Sequence, residues 1–139
     1  MADMVLIDEA IENATYAALI AGMPTGVADV YQHVPARTAP SYVVIGKIDT
    51  ENQGGKDGID VLGQVEIACF FEGPARAGLW AIMRAVFNAL HDQPLSADGV
   101  VFGGCRWLNN QSDPDNNPET DNVRYLGLMN FEIWAEPAE

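Results

Sequence analysis

The chain has few basic residues and no long apolar run. Among its 139 residues, seven Lys and Arg stand against twenty Asp and Glu, for a formal net charge of -13. Attraction to nucleic acid or to an anionic bilayer needs clustered Lys and Arg, whereas no two basic residues are adjacent here. The composition therefore excludes a general affinity for phosphate backbones.

Cysteine and histidine are also scarce. Cys69 and Cys105 lie in apolar, strand-like stretches without C-x-x-C spacing, and His33 and His91 are the only histidines. This set does not form the ligand pattern of a structural zinc site. We expect buried free thiols, as in a reducing compartment. We also expect a soluble chain without a secretion signal or a membrane span, since no window reaches about eighteen apolar residues.

Short catalytic motifs are absent as well. The sequence contains no G-x-S-x-G, H-E-x-x-H, G-x-G-x-x-G or phosphate-loop motif. His33 lies near Pro35 at a strand end, and His91 is predicted at a helix end, where an imidazolium would cap free carbonyls. We predict structural roles for both histidines. The sequence predicts no enzymatic activity, no cofactor and no catalytic residue.

One acidic stretch invites comparison with a calcium loop. Oxygen-bearing side chains recur at every second position, at Asp113, Asp115, Asn117, Glu119 and Asp121. An EF-hand beginning at Asp113 would need glycine at its sixth position and glutamate at its twelfth, where this chain has Pro118 and Arg124. An EF-hand is excluded. A weak cation site and a solvated acidic loop both stay open.

Apolar spacing predicts two helices and five strands. An alanine-rich stripe indicates a first helix from Asp3, its N-cap, to Gly22. A second amphipathic helix follows Gly73-Pro74 and ends near His91. Runs of β-branched and aromatic residues predict strands at 27–34, 41–47, 61–71, 100–108 and 123–135.

The order of these elements predicts the fold class. Polar loops at 49–60 and 109–122 separate consecutive strands, and Gly103-Gly104 predicts either a bulge in the fourth strand or a close backbone approach. Strands joined by hairpin loops favour an α+β fold, an antiparallel or mixed sheet of about five strands with two helices packed on one face. We expect one domain over residues 1–139.

Three segments carry a family resemblance. VYQHVPARTAPSYVVIG contains a strand, a proline turn and a second strand, FNALHDQPL ends the second helix, and GLMNFEIWAE is the closing strand. These segments resemble, in order and separation, the tail-completion proteins of phages. The resemblance extends over roughly residues 27 to 135 and concerns packing residues, not a catalytic signature.

The resemblance implies a tail terminator of long-tailed phages or of gene transfer agents. Such a protein forms a homo-hexameric ring at the head-proximal end of the tail tube, ends tube polymerisation and joins the tail to a head-tail connector or stopper. It would be assembled in the bacterial cytoplasm and located in the tail and neck of the virion. Another neck ring, a binding domain unrelated to virions and an enzyme without a readable motif are the alternatives.

The negative charge has two interpretations. It either keeps the protein soluble or lines the channel of the ring, so that DNA passes through without specific binding. A cyclic contact joins two different patches of one subunit, and sheet edges, polar loops and tryptophans are candidates. The candidate interface residues are Arg37, Asp49, Glu51, Lys56, Asp57, Trp107, Asp113, Asp115, Glu119, Asp121 and Trp134.

Overall fold

The computed structural model describes residues 6–38, 41–54, 58–115 and 123–138. Within these ranges the chain forms two helices and five strands. They are α1 (Ile7–Gly22), β1 (Asp29–Tyr31), β2 (Tyr42–Asn52), β3 (Val61–Gly73), α2 (Ala77–Leu90), β4 (Val100–Asp115) and β5 (Val123–Pro137). None of the helices in the described ranges is long and apolar enough to cross a bilayer.

The five strands form one mixed sheet in the order β1-β2-β3-β5-β4. β1 runs parallel to β2, and the other three neighbouring pairs are antiparallel. β3 and β5 are the long central pair, in register from Val61 opposite Ala135 to Gly73 opposite Val123. The predicted α+β fold with a mixed sheet is confirmed.

Both helices pack on the same face of the sheet, as predicted. Ile11 of α1 lies over Gly63, and Met83 of α2 lies over Gly127, where a Cβ atom on either glycine would come within 2.8 Å of the helix side chain. The helices also contact each other closely, because a Cβ on Gly22 would lie 2.6 Å from the Cβ of Ala89. Glycine at these positions therefore sets the distance between the layers.

The core lies between the helices and the sheet. Successive strand residues point to opposite faces, so every second residue of the central strands is buried there. The fully buried large side chains include Ile11, Leu19, Val43, Val65, Ile67, Leu79, Ile82, Val86, Leu90, Met129, Phe131 and Ile133. The amphipathic pattern predicted for the second helix is confirmed by the buried stripe of α2, and buried residues alternate along β5.

Several element boundaries differ from the prediction. β2 continues to Asn52 and β4 to Asp115, both inside segments predicted as loops, whereas β1 has only three residues. The long strands β3 and β5 supply backbone partners beyond the apolar residues of their neighbours, so polar side chains do not end these strands. The bulge predicted at Gly103-Gly104 is confirmed by a register shift between Phe102 and Gly104.

The helix starts also differ. α2 begins at Ala77, three residues after Pro74, with Arg76 at its N-cap position. The N-cap predicted for α1, Asp3, lies outside the described residues, and the described helix follows Leu6.

Candidate functional site

The face of the sheet opposite the helices is called the open face here. In the described part of the chain no helix packs against it, and most of its side chains are half-buried or exposed. Its two halves differ in chemistry. The apolar half consists of Tyr42, Val44, Ala68, Phe70, Leu126 and Leu128, and the polar half includes Asp49, Gln64, Glu66, Arg106, Asn130 and Glu132.

Strand register brings the polar half together. Arg106 of β4 is opposite Glu132 of β5, and its Nη2 donates to Glu132 Oε1 at 3.2 Å. Asn130 donates through its side-chain amide to Asn109 at 2.9 Å. These two contacts are cross-strand pairs of the kind that is ordinary on a solvated sheet surface.

The apolar half ends in a cleft of about 600 Å³, called the arginine cleft here. Its aromatic wall begins with Tyr42 on β2 and Phe70 on β3, which are opposite one another with ring centroids 4.8 Å apart. Leu126 of β5 is opposite Phe70 and completes an apolar floor. The side chains that line the cleft are Arg37, Thr38, Tyr42, Phe70, Phe71, Glu72, Asp113, Arg124, Tyr125 and Leu126.

Arginines surround this floor. Arg124 Nε donates to Glu72 Oε1 at 3.2 Å, across the β3–β5 pair. Arg37 is exposed in the turn after β1, in a left-handed backbone conformation with φ of 65°. Arg76 does not line the cleft, but its guanidinium lies 5.4 Å from the ring centroid of Tyr125, which does. Three of the seven basic residues of the chain are thus gathered at one end of the sheet.

The opposite end of the sheet is acidic. The exposed residues Glu51, Ile59 and Asp60, called the hairpin end here, lie where β2 leads into β3. The side-chain Oδ1 of Asn52 accepts hydrogen bonds from the backbone N–H groups of Gly54 and Asp60, at 3.0 and 3.1 Å. These bonds link the described residues on the two sides of the connection, and Ile59 beside Asp60 is 55% exposed.

A second contact ties this end to the helical layer. Thr50 donates through its hydroxyl to Asp8 Oδ1 of α1 at 2.9 Å. Asp49 is exposed beside it and forms a 3.2 Å ion pair with Lys47. The hairpin end is therefore a braced, negatively charged projection.

The two cysteines lie outside these surfaces, in the packed interior of the protein. Cys69 and Cys105 are buried free thiols, as predicted, and burial raises the pKa of each to about 12. For Cys105 the negative charge of Asp92 adds to the same upward pKa shift. Both thiols stay protonated at neutral pH, which makes them poor nucleophiles.

His91 does not act as the carbonyl cap that was predicted. Its Nδ1 accepts a hydrogen bond from the backbone N–H of Trp107 at 3.1 Å, and its ring stacks on Phe87 with centroids 4.6 Å apart. It joins α2 to β4. Among the described residues no group of three or more His, Cys, Asp and Glu side chains is arranged to hold a metal ion.

The sequence-predicted interface candidates are distributed over both ends of the sheet. Arg37 and Asp113 line the arginine cleft, while Glu51 belongs to the hairpin end and Asp49 lies near it on β2. Asp115 is described only through its backbone, as the last residue of β4. Lys56, Asp57, Glu119 and Asp121 lie outside the described residues.

The two candidate tryptophans lie on opposite faces. Trp107 packs against the core, and its indole N–H donates to Asn110 Oδ1 at 2.7 Å. Trp134 is 37% exposed on the open face, opposite Leu62.

Tyr42, Phe70, Arg124 and Leu126 were not among the interface residues predicted from the sequence. Their signal was present in the strand alternation, since Phe70 is a large apolar residue on the non-core side of its strand. What the alternation could not supply was the register that places the four side chains together.

A family model and a solved structure each match almost the whole chain. The model of the family described as Tail completion protein gp17 matches residues 6–136. A chain in the solved structure of the virion of a native gene transfer agent (GTA) particle has a similar fold, with a TM-score of 0.69 at 23% sequence identity. The match covers 96% of this chain and 99% of that chain. No curated protein matches the sequence.

Proposed function

The chain belongs to the tail completion protein gp17 family and is a structural protein of the virion tail, and we propose that it is the tail terminator. Six copies form a ring on the head-proximal end of the tail tube. The ring ends tube polymerisation and offers its other surface to a head-tail connector or stopper. The observation that carries this proposal is the family match over residues 6–136.

The shape of the subunit supports a role in assembly. A sheet covered by helices on one face leaves the open face available to neighbours, and half of that face is apolar. Exposed apolar surface of this kind commonly marks a protein contact. The two ends of the sheet also differ, with a formally neutral cleft that contains arginines at one end and exposed carboxylates at the other, which suits a heterologous contact that closes a ring.

The net charge fits the passage of DNA. A ring of chains that each carry a formal charge of -13 is strongly acidic. Carboxylates that point into the channel would repel the phosphates, but only within about 8 Å at physiological salt. Arg106 and Arg124 are both paired with glutamates, which reduces their attraction for phosphates.

Deletion of the gene from the phage or particle producer tests the terminator role. We expect full heads beside unattached tails of uncontrolled length, seen by negative-stain electron microscopy. Wild-type protein supplied in trans is the control and should restore attached tails of uniform length. Unattached tails of normal length would instead indicate a connector or stopper, because tube growth would still have been ended correctly. Normal particles would contradict any essential role in the neck.

A further inference from the structure

The arginine cleft and the hairpin end are complementary to each other in chemistry. The cleft has an apolar floor formed by Tyr42, Phe70 and Leu126, and its sides carry Arg37 as well as Arg124, which is paired with Glu72. Asp113 also lines the cleft. Aromatic and arginine side chains are the residue types that contribute most at protein interfaces. A fitting occupant carries an exposed apolar side chain next to carboxylates.

The hairpin end of the same chain has that composition. Ile59 is an exposed large apolar residue, and the exposed carboxylates of Asp60 and Glu51 are near it. The backbone N–H groups of Gly54 and Asp60 both donate to Asn52 Oδ1, so the described residues on the two sides of the connection are linked to each other. Such a link reduces the freedom that Asp60 would lose on docking.

The two surfaces cannot meet within one molecule. They lie at opposite ends of β3, where Val61 begins the strand and Phe70 lies nine residues later. At about 3.3 Å per residue, roughly 30 Å separates them. Only a second copy can bring a hairpin end into an arginine cleft.

We propose that the hairpin end of one copy docks in the arginine cleft of the next copy, with Ile59 against the aromatic floor and Asp60 beside Arg37. This contact rests on the proposed ring and names its interface. It joins two different patches, so each added copy leaves one cleft and one hairpin end available. Copies related by a rotation can then close into a ring. A reciprocal two-fold dimer would also fill both clefts, so the mass of the assembly distinguishes a ring from a dimer.

Charge also explains why copies would associate here. Each chain carries a formal charge of -13, so most surfaces of two copies repel each other. The lining of the arginine cleft is formally neutral, because Glu72 and Asp113 balance Arg37 and Arg124, and Glu72 is already paired with Arg124. An acidic hairpin end therefore meets less repulsion there than the net charge of the chain implies, and Asp60 meets an opposite charge in Arg37, which orients the encounter.

Two charge reversals test the contact. Arg37→Glu makes the cleft repel a wild-type hairpin end, and Asp60→Arg makes the hairpin end repel a wild-type cleft. The matched control is Arg84→Glu, which reverses an exposed arginine on α2. Circular dichroism verifies that each variant is folded, and light scattering after size exclusion gives the mass over a concentration series. We expect each reversal to raise the concentration needed for half-assembly by at least about tenfold, and the control to assemble as the wild type does.

Mixing the two reversed variants is the decisive experiment. In an alternating ring, the acidic cleft of the Arg37→Glu variant would receive the basic hairpin end of the Asp60→Arg variant. The remaining interfaces would keep the wild-type pairing of Arg37 with Asp60. Equal amounts of two variants that do not assemble alone should therefore form rings together. The Arg37→Glu/Asp60→Arg double variant should form rings as well.

Three results would overturn the docking. Wild-type rings that neither reversal weakens would reject the contact while leaving the terminator proposal intact. Two folded variants that stay monomeric when mixed would do the same. Variants that form normal rings but no longer attach to tubes would indicate that the arginine cleft binds the tube protein and not the next copy. A wild-type chain that stays monomeric both alone and on tubes would contradict the ring itself.

Discussion

The backbone N–H of Trp107 donates a hydrogen bond of 3.1 Å to Nδ1 of His91, and this bond joins the end of α2 to the middle of β4. The His91 ring also stacks on Phe87, one turn earlier in the helix. Trp107 packs edge-on against the same phenylalanine, with ring centroids 6.0 Å apart. Three rings thus attach the edge strand of the sheet to the helical layer.

Replacement of His91 should therefore weaken the fold. His91→Ala leaves the half-buried N–H of Trp107 without its acceptor and removes the stacking on Phe87. We expect the free energy of unfolding to fall by about 1–3 kcal/mol, measured by urea denaturation. His33→Ala is the matched control, because His33 is exposed, and its effect should stay within about 0.5 kcal/mol. Equal stabilities of the two variants would show that the bond contributes nothing.

Thr15 offers a stabilising substitution. Its side chain is fully buried in α1, and its hydroxyl has no hydrogen-bond partner among the described residues. Thr15→Val replaces the hydroxyl by a methyl group of similar shape, so we expect a gain of about 1 kcal/mol in the free energy of unfolding. Thr15→Ser keeps the hydroxyl and loses the methyl group, and it should be destabilising. A valine variant less stable than the wild type would mean that the hydroxyl is satisfied.

Because the thiols are buried, we expect the free energy of unfolding to fall at alkaline pH. Burial raises the pKa of Cys69 and of Cys105 from 9.0 to about 12. Because the folded state keeps its protons where the unfolded state loses them, the stabilisation is complete below pH 9 and is lost as pH rises towards 12.

Urea denaturation at several alkaline pH values measures this loss. The Cys69→Ala/Cys105→Ala variant should start less stable, since it leaves cavities, but its stability should fall less steeply above about pH 9. Lysines and tyrosines titrate in both proteins, so the difference between the two slopes reports the thiols. Parallel slopes would mean that the thiols are accessible to solvent in the folded chain.

Local sequence pattern predicted most of the fold. Met129, Phe131 and Ile133 alternate along the last strand, and this period of two was enough to assign the strand and its buried face. The apolar stripe of α2 was equally clear, because side chains three and four residues apart lie on one face of a helix. These features depend only on neighbours in the chain.

Features set by distant partners were not predicted. β4 extends to Asp115 because β5 supplies a backbone partner, Arg124, and the polar residues of β4 carry no sign of this. His91 meets Trp107 only through the packing of α2 against an irregular strand, whose register shifts between Trp107 and Asn109. The arginine cleft likewise combines Arg37 with Arg124, far apart in the chain, and depends on the register of three strands.

The length of tail tubes assembled from purified tube protein, with and without this chain, tests the terminator role most directly. If the chain ends polymerisation, electron microscopy will show a ring on one end of each tube, and tubes will stop growing once the chain is added. Tubes that keep elongating at both ends in excess chain, with no ring on either end, would contradict it.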